Sequence, residues 1–226
     1  MTIPRKIATA VTLILACAAC TPATGAAAAG TLDQNQYVYT DSELTISSGG
    51  SEGQTFTAGR TGQLDRVDLF LRKFGAPSAP LTVELRDVSA GAPGGTVMSS
   101  GTIPASAVPD VADLRAFLPV SVNAQVTAGA QYSIVAFSNT APGYYYWSAA
   151  TGNPYAGGAS FHNTNSYGGA PWTSAGYTGI DFTFRTYVAS ATVTGTPGAG
   201  AHKKCKKKKH HAGAAKKKCK KKHRHH

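Results

Sequence analysis

Leu64-Asp65-Arg66-Val67-Asp68-Leu69-Phe70-Leu71 decides the fold class. Val67, Leu69 and Leu71 recur at every second position, with Asp68, Phe70 and Arg72 between them. Side chains of an extended strand alternate between two faces, so this spacing describes a half-buried strand and breaks the 3.6-residue period of a helix. Leu81-Thr82-Val83-Glu84-Leu85-Arg86 repeats the pattern. Working outward, residues 131–138 and 180–188 are expected as strands, the latter with Ile180, Phe182 and Phe184 opposed to Asp181, Thr183 and Arg185. Residues 36–40, 53–57, 96–103, 116–122 and 144–148 are weaker candidates. Turn material separates them: Ser48-Gly49-Gly50, Gly75-Ala76-Pro77, Gly91-Ala92-Pro93-Gly94-Gly95 and Thr127-Ala128-Gly129. No segment after the first 30 residues carries a helical period; residues 110–117 could hold one helical turn. The expectation is an all-β fold, a single antiparallel β-sandwich of jelly-roll type.

The flanks differ from this body. Arg5 and Lys6 precede an apolar run, residues 7–19, followed by Pro22 and small residues through Ala29. Charge, short apolar core and small-residue exit are the parts of a secretory signal, here cut after Ala29. The run falls short of the ~20 residues that span a bilayer, so no transmembrane helix is expected in the mature chain. Cys17 and Cys20 loosely resemble a lipoprotein cleavage box, which makes a lipid anchor the alternative to secretion. The expected organisation is a signal at 1–29, the sandwich at 30–190, a flexible linker at 191–201 and a polybasic tail at 202–226.

Charge divides the same way. Between residues 30 and 201 there are seven Lys/Arg and 11 Asp/Glu, a net charge of −4, and no cysteine. Residues 202–226 hold Lys203, Lys204, Lys206, Lys207, Lys208, Lys209, Lys216, Lys217, Lys218, Lys220, Lys221 and Lys222, with Arg224, six histidines and no acid. Such a segment repels itself and has nothing to bury, so disorder is expected. On an exported protein it would bind anionic envelope polymers or lipid head groups, and nucleic acid only non-specifically. Cys205 and Cys219 could form a disulfide. No histidine or cysteine spacing matches a structural zinc site, and no cofactor or metal is expected.

Catalytic signatures are missing from the body: it has no nucleophile elbow, no H-E-x-x-H, no phosphate loop and no dinucleotide fingerprint. His162 is its one histidine, in Phe161-His162-Asn163. Asp65, Asp68, Asp87 and Asp181 alternate with Arg66, Arg72, Arg86 and Arg185, which reads as ion pairing across a solvated sheet face. Aromatic clustering stands out instead, with 12 of 20 aromatic residues between Tyr144 and Tyr187. Tyr144, Tyr146 and Trp147 lie on one strand candidate. Tyr155, His162, Tyr167, Trp172 and Tyr177 lie in loops rich in Gly, Asn and Ser. Exposed rings beside amides and hydroxyls suit the apolar face and polar edge of a sugar, so these eight residues are the candidate glycan face.

The motifs also carry a family likeness. Gln54-Thr55-Phe56-Thr57-Ala58-Gly59, Leu81-Thr82-Val83-Glu84-Leu85, Pro93-Gly94-Gly95-Thr96-Val97 and Asn153-Pro154-Tyr155 resemble secreted bacterial β-sandwich domains of the choice-of-anchor type. The resemblance spans residues 32–188. It implies a sandwich carried on variable surface-attachment tails and offers no catalytic residues; this tail lacks the apolar stretch of sorting signals. The expected function is a non-catalytic exported cell-surface binding or adhesion module, with a structural surface protein or a hydrolase as alternatives.

Overall fold

The computed structural model describes residues 29–40, 42–110, 114–165, 167–169, 171–174 and 179–190. The leader except its last residue, the linker, the tail with its lysines and cysteines, and Tyr177 lie outside them.

Twelve strands follow one another: β1 (Thr31–Gln36), β2 (Ser42–Ile46), β3 (Ser51–Thr57), β4 (Gly62–Phe74), β5 (Leu81–Ser89), β6 (Ala92–Ile103), β7 (Ala116–Val126), β8 (Gln131–Phe137), β9 (Tyr144–Thr151), β10 (Ser160–Asn163), β11 (Ile180–Phe182) and β12 (Phe184–Ala189). One 3₁₀ turn, Ala105–Ala107, interrupts them. They form two antiparallel sheets packed face to face, the expected sandwich. The five-stranded sheet runs β10-β3-β8-β5-β6, and the seven-stranded sheet runs β1-β12-β4-β9-β11, with β7 on β4 and β2 on β9. Most connections cross from one sheet to the other, which is the jelly-roll habit.

β4 is the spine of the larger sheet. β7 pairs with its residues 62–71, while β12 and then β9 take its other edge. A register shift between Leu64 and Arg66 marks a bulge, and it explains why Leu64 and Val67, three residues apart, both point inward. Leu64, Val67, Leu69 and Leu71 meet Leu81, Val83 and Leu85 of β5, Ile134 of β8, Tyr145 and Trp147 of β9, and Phe56, Phe182 and Phe184. Each large side chain so buried contributes about 1.5–3 kcal/mol of transfer free energy. A polar tie crosses this core. Gln54 donates to Asp181 Oδ1 at 3.1 Å and accepts from the Phe182 N–H at 2.8 Å. Asp181 Oδ2 accepts from the Tyr155 N–H at 2.9 Å.

Four expectations are corrected. Residues 37–40 are not a strand; Gln36 bonds the Val38 N–H and carbonyl, turning the chain off the sheet edge after β1. Ala92–Gly95 belong to β6, because the hairpin closes on Ala90 and Gly91, both at positive φ (51° and 80°), the two-residue turn that matches strand twist. The strand expected over 180–188 breaks at Thr183, where the chain leaves β9 for β4 and the Thr183 carbonyl takes the Trp147 and Phe70 N–H groups. The expected ion-pair alternation fails for three of four aspartates. Asp181 is buried in the core tie, while Asp65 and Asp87 accept from the backbone N–H groups of Gly30 and Thr96.

Candidate functional site

The outer face of the seven-stranded sheet carries a continuous ladder of rings and guanidinium groups. Alternation puts Phe70, Arg72 and Phe74 of β4 outward, beside Tyr144 and Tyr146 of β9 and Phe117 of β7. Tyr39, on the segment crossing from β1 to β2, lays its ring 5.3 Å from Phe70, and Phe70 lies 4.8 Å from Phe117. Tyr144 stacks on Phe74 at 5.2 Å and meets Tyr146 edge-on at 5.0 Å. Arginines fill the gaps: Arg72 over Tyr146 at 4.0 Å, Arg115 by Tyr39 at 5.4 Å, Arg185 over Phe117 at 3.7 Å and Arg66 over Tyr187 at 3.5 Å. A guanidinium over a ring face is attracted by the ring quadrupole, so rings and arginines hold one another in place.

Glu43 holds the centre of this ladder. Its carboxylate accepts from Arg72 Nε at 2.8 Å and from Arg115 Nε at 2.7 Å. Burial would raise the Glu43 carboxyl, but the two arginines outweigh it and hold it below the usual range. With Asp68 against Arg66 at 3.0 Å, the face holds four arginines and two acids, a net +2 on a body of net −4. Phe74 and Tyr39 are exposed at 56% and 42%, enough to be touched from solvent.

The outer face of the five-stranded sheet is arranged differently. Val135 of β8 points outward yet is fully buried, because the chain after β10 folds over it. Gly168 sits there in the left-handed region (φ 65°); a Cβ on it would meet Val135 Cγ1 at 2.9 Å. Arg86 of β5 fastens this cover, donating to the Gly168 carbonyl at 2.5 Å while its Nε bonds Glu84 at 2.7 Å. Trp172 rests over Gly53, and the segment closes by a bridge between His162 and Thr173.

At the root of that cover lies a buried pair. His162 Nδ1 is 2.9 Å from Glu52 Oε1, cross-strand neighbours on β10 and β3. Glu52 is 1% exposed and its Oε2 has no hydrogen-bond partner. Burial pushes its carboxyl up to about 7 against the opposing pull of His162. The hydrogen bond to Glu52 in turn raises His162, with burial working against it.

The sequence-derived candidates scatter among these places. Tyr144 and Tyr146 stand on the aromatic face as expected. Trp147 is corrected: its side chain is wholly buried, stacks on Phe182 at 4.2 Å and donates to the Thr183 carbonyl at 2.9 Å, so it presents nothing to a ligand. Tyr155 leans on the core, edge-on to Phe184 at 5.2 Å, with its hydroxyl on Gln34 at 2.9 Å. His162 is held by Glu52. Tyr167 is exposed and Trp172 half-buried on the other sheet. Tyr39, Phe70, Phe74, Phe117 and the four arginines escaped sequence reasoning. Phe70 alone left a signal, an apolar ring on the polar side of the β4 alternation.

Among the described residues, no helix is long and apolar enough to cross a membrane and no group of His, Cys, Asp and Glu is placed to hold a metal. Fold and surface together define an antiparallel β-sandwich with one sheet face paved by aromatic rings and arginines. No protein-family model matches the sequence, and a search of curated proteins finds no match.

Proposed function

We propose that the chain is an exported, non-catalytic binding module of the cell surface. Its seven-stranded sheet lies along a polysaccharide chain, and its polybasic tail adds attachment to anionic envelope polymers. The observation that carries this reading is the run of rings and guanidinium groups from Phe74 through Tyr144, Tyr146, Arg72 and Arg115 to Tyr39. Successive rings offer platforms for the C–H faces of successive sugars, and the tyrosine hydroxyls and guanidinium edges meet their oxygens. The net positive charge of the face favours acidic sugars over neutral ones. Support for the surface role comes from the leader at residues 1–29, from the resemblance to choice-of-anchor domains and from the lysine-rich tail.

The test is retention of the full chain on insoluble neutral and acidic polysaccharides, at low and high salt. The Tyr39→Ala/Phe74→Ala variant should lose at least tenfold in affinity with its fold unchanged. Retention that salt alone abolishes, and that the double substitution leaves intact, would transfer binding to the tail and leave the sandwich structural. A hydrolase is the second reading, favoured by the Glu52–His162 couple, in which a carboxylate fixes an imidazole as in an acid–base pair. Product release from a polysaccharide or ester panel by the parent, lost in His162→Gln, would establish it.

A further inference from the structure

A cavity of about 410 Å³ opens on the five-stranded sheet between Trp172 and the first residues of β6. That volume falls within the range of small-molecule sites. Trp172 and Pro93 supply two apolar rings to its lining. Gly94, Gly95 and Gly169 bring main chain to the wall, with the Asp87 carboxylate packed against Gly94. A Cβ on Gly95 would meet nothing within 4 Å, so this wall is open towards the hollow. Arg86 and Ser89 provide the polar edge.

The electrostatics narrow the occupant. Arg86 is 7% exposed. Its Nε and Nη2 engage Glu84 and its Nη1 engages the Gly168 carbonyl. A guanidinium has five N–H groups, and three of them are engaged by these described partners. Glu84 offsets the charge, and Asp87, whose carboxylate lies against Gly94, adds a second acid. The Trp172 Nε1–H is enclosed, with no acceptor among the described residues, and is not open to the hollow, so Trp172 contributes its ring alone. The site therefore offers an aromatic plate and an arginine edge, without net positive charge.

We infer that this cavity binds an uncharged mono- or disaccharide, with one pyranose C–H face on Trp172 and the ring and hydroxyl oxygens turned towards Arg86. A pyranose combines an apolar face with an acceptor-rich edge. A carboxylate or phosphate would meet Glu84 beside Arg86. The site stands apart from the aromatic face, on the opposite sheet and with no residue in common, so each can fail alone.

Two tryptophans make the test clean. In the ¹⁵N-labelled full chain, the two indole N–H signals are assigned by their change in Trp172→Phe. The chain is then titrated with methyl α-glucopyranoside, methyl β-galactopyranoside, maltose, cellobiose, glucuronate and adenosine. The expected result is a saturable shift of the Trp172 signal with at least one neutral saccharide, half-complete in the millimolar range, while the Trp147 signal stays. Gly95→Leu, whose Cβ would meet no protein atom within 4 Å, should weaken that response at least tenfold and leave polysaccharide retention unchanged. A Trp172 signal that no neutral saccharide moves, that only adenosine or glucuronate moves, or that responds equally in Gly95→Leu, would overturn the inference.

Discussion

The two outer faces of this sandwich solve one problem in opposite ways. Each sheet carries apolar side chains on the side away from the core: Phe70, Phe74 and Phe117 on the larger, Val135 and Phe137 on the smaller. The smaller sheet hides them under the segment after β10, pinned by Arg86 to Gly168. The larger sheet leaves them in view, with Arg185 over Phe117 and Arg72 over the neighbouring Tyr146. A face that is covered by its own chain has its partner built in. A face paved with exposed rings has no such cover, and it is the surface proposed above to bind. The contrast also explains why exposure, more than aromatic content, separates a candidate site from packing: Trp147 and Tyr146 are sequence neighbours, and only one of them can be touched.

That neighbouring pair gives the largest expected effect. Trp147→Ala should cost about 3–5 kcal/mol in chemical denaturation, as truncation of a buried aromatic does, whereas Tyr146→Ala should cost about 1 kcal/mol and act on binding. Equal losses would erase the distinction between inside and outside on β9. Next comes the built-in cover. Gly168→Val combines a left-handed backbone with a clash against Val135, and should cost about 2–3 kcal/mol. If the cover lifts as a unit, amide exchange of β8 and β5 will rise before that of β4.

The Glu52–His162 couple sharpens the comparison through pH. Both groups are raised in the folded protein. Their stabilising contribution is therefore complete below their unfolded values, about 4.5 for the carboxyl and 6.5 for the imidazole, and is lost as pH rises through the folded values, about 7 for Glu52 and raised above 6.5 for His162. The parent should lose about 1–2 kcal/mol between roughly pH 5 and 8, and Glu52→Gln should be nearly flat over that window. Urea midpoints at four pH values decide it; a parent that gains stability on going alkaline would refute the assignment. The smallest effect is expected on the open face. Phe74→Ala should change stability by no more than about 0.5 kcal/mol, since its ring is stacked but exposed. A loss above 2 kcal/mol would mean that the ladder exists to hold the sheet together.

Strand alternation made most of the architecture readable from sequence. β4 and β5 follow from their period of two, and the turns at Gly75 and Thr127-Ala128-Gly129 fall where Gly was expected to place them. β2 and β10 were missed because each is five residues or fewer and mostly polar outside Leu44, Ile46 and Phe161. The break at Thr183 leaves no local mark, since it is set by which strands lie alongside. The aromatic site was half readable for the same reason. Clustering between residues 144 and 187 found Tyr144 and Tyr146, but the face is completed by Tyr39, Phe70, Phe74, Phe117 and Arg115, brought in by pairing across the sheet. Sequence proximity grouped Trp172 with them, and the fold sends it to the opposite side.

The pairing of β1 with β12 has a consequence for the order of events. Asn35 and Arg185, hydrogen-bonded at 3.2 Å, are 150 residues apart in the chain. The first strand to emerge during synthesis thus has no edge to join until the last one is made, and the Gln54–Asp181 tie waits almost as long. The sheet closes only when its two ends are in the same compartment, so completion of the fold is an all-at-once step reserved for the finished chain. Contacts of such long range slow the search for the native pairing.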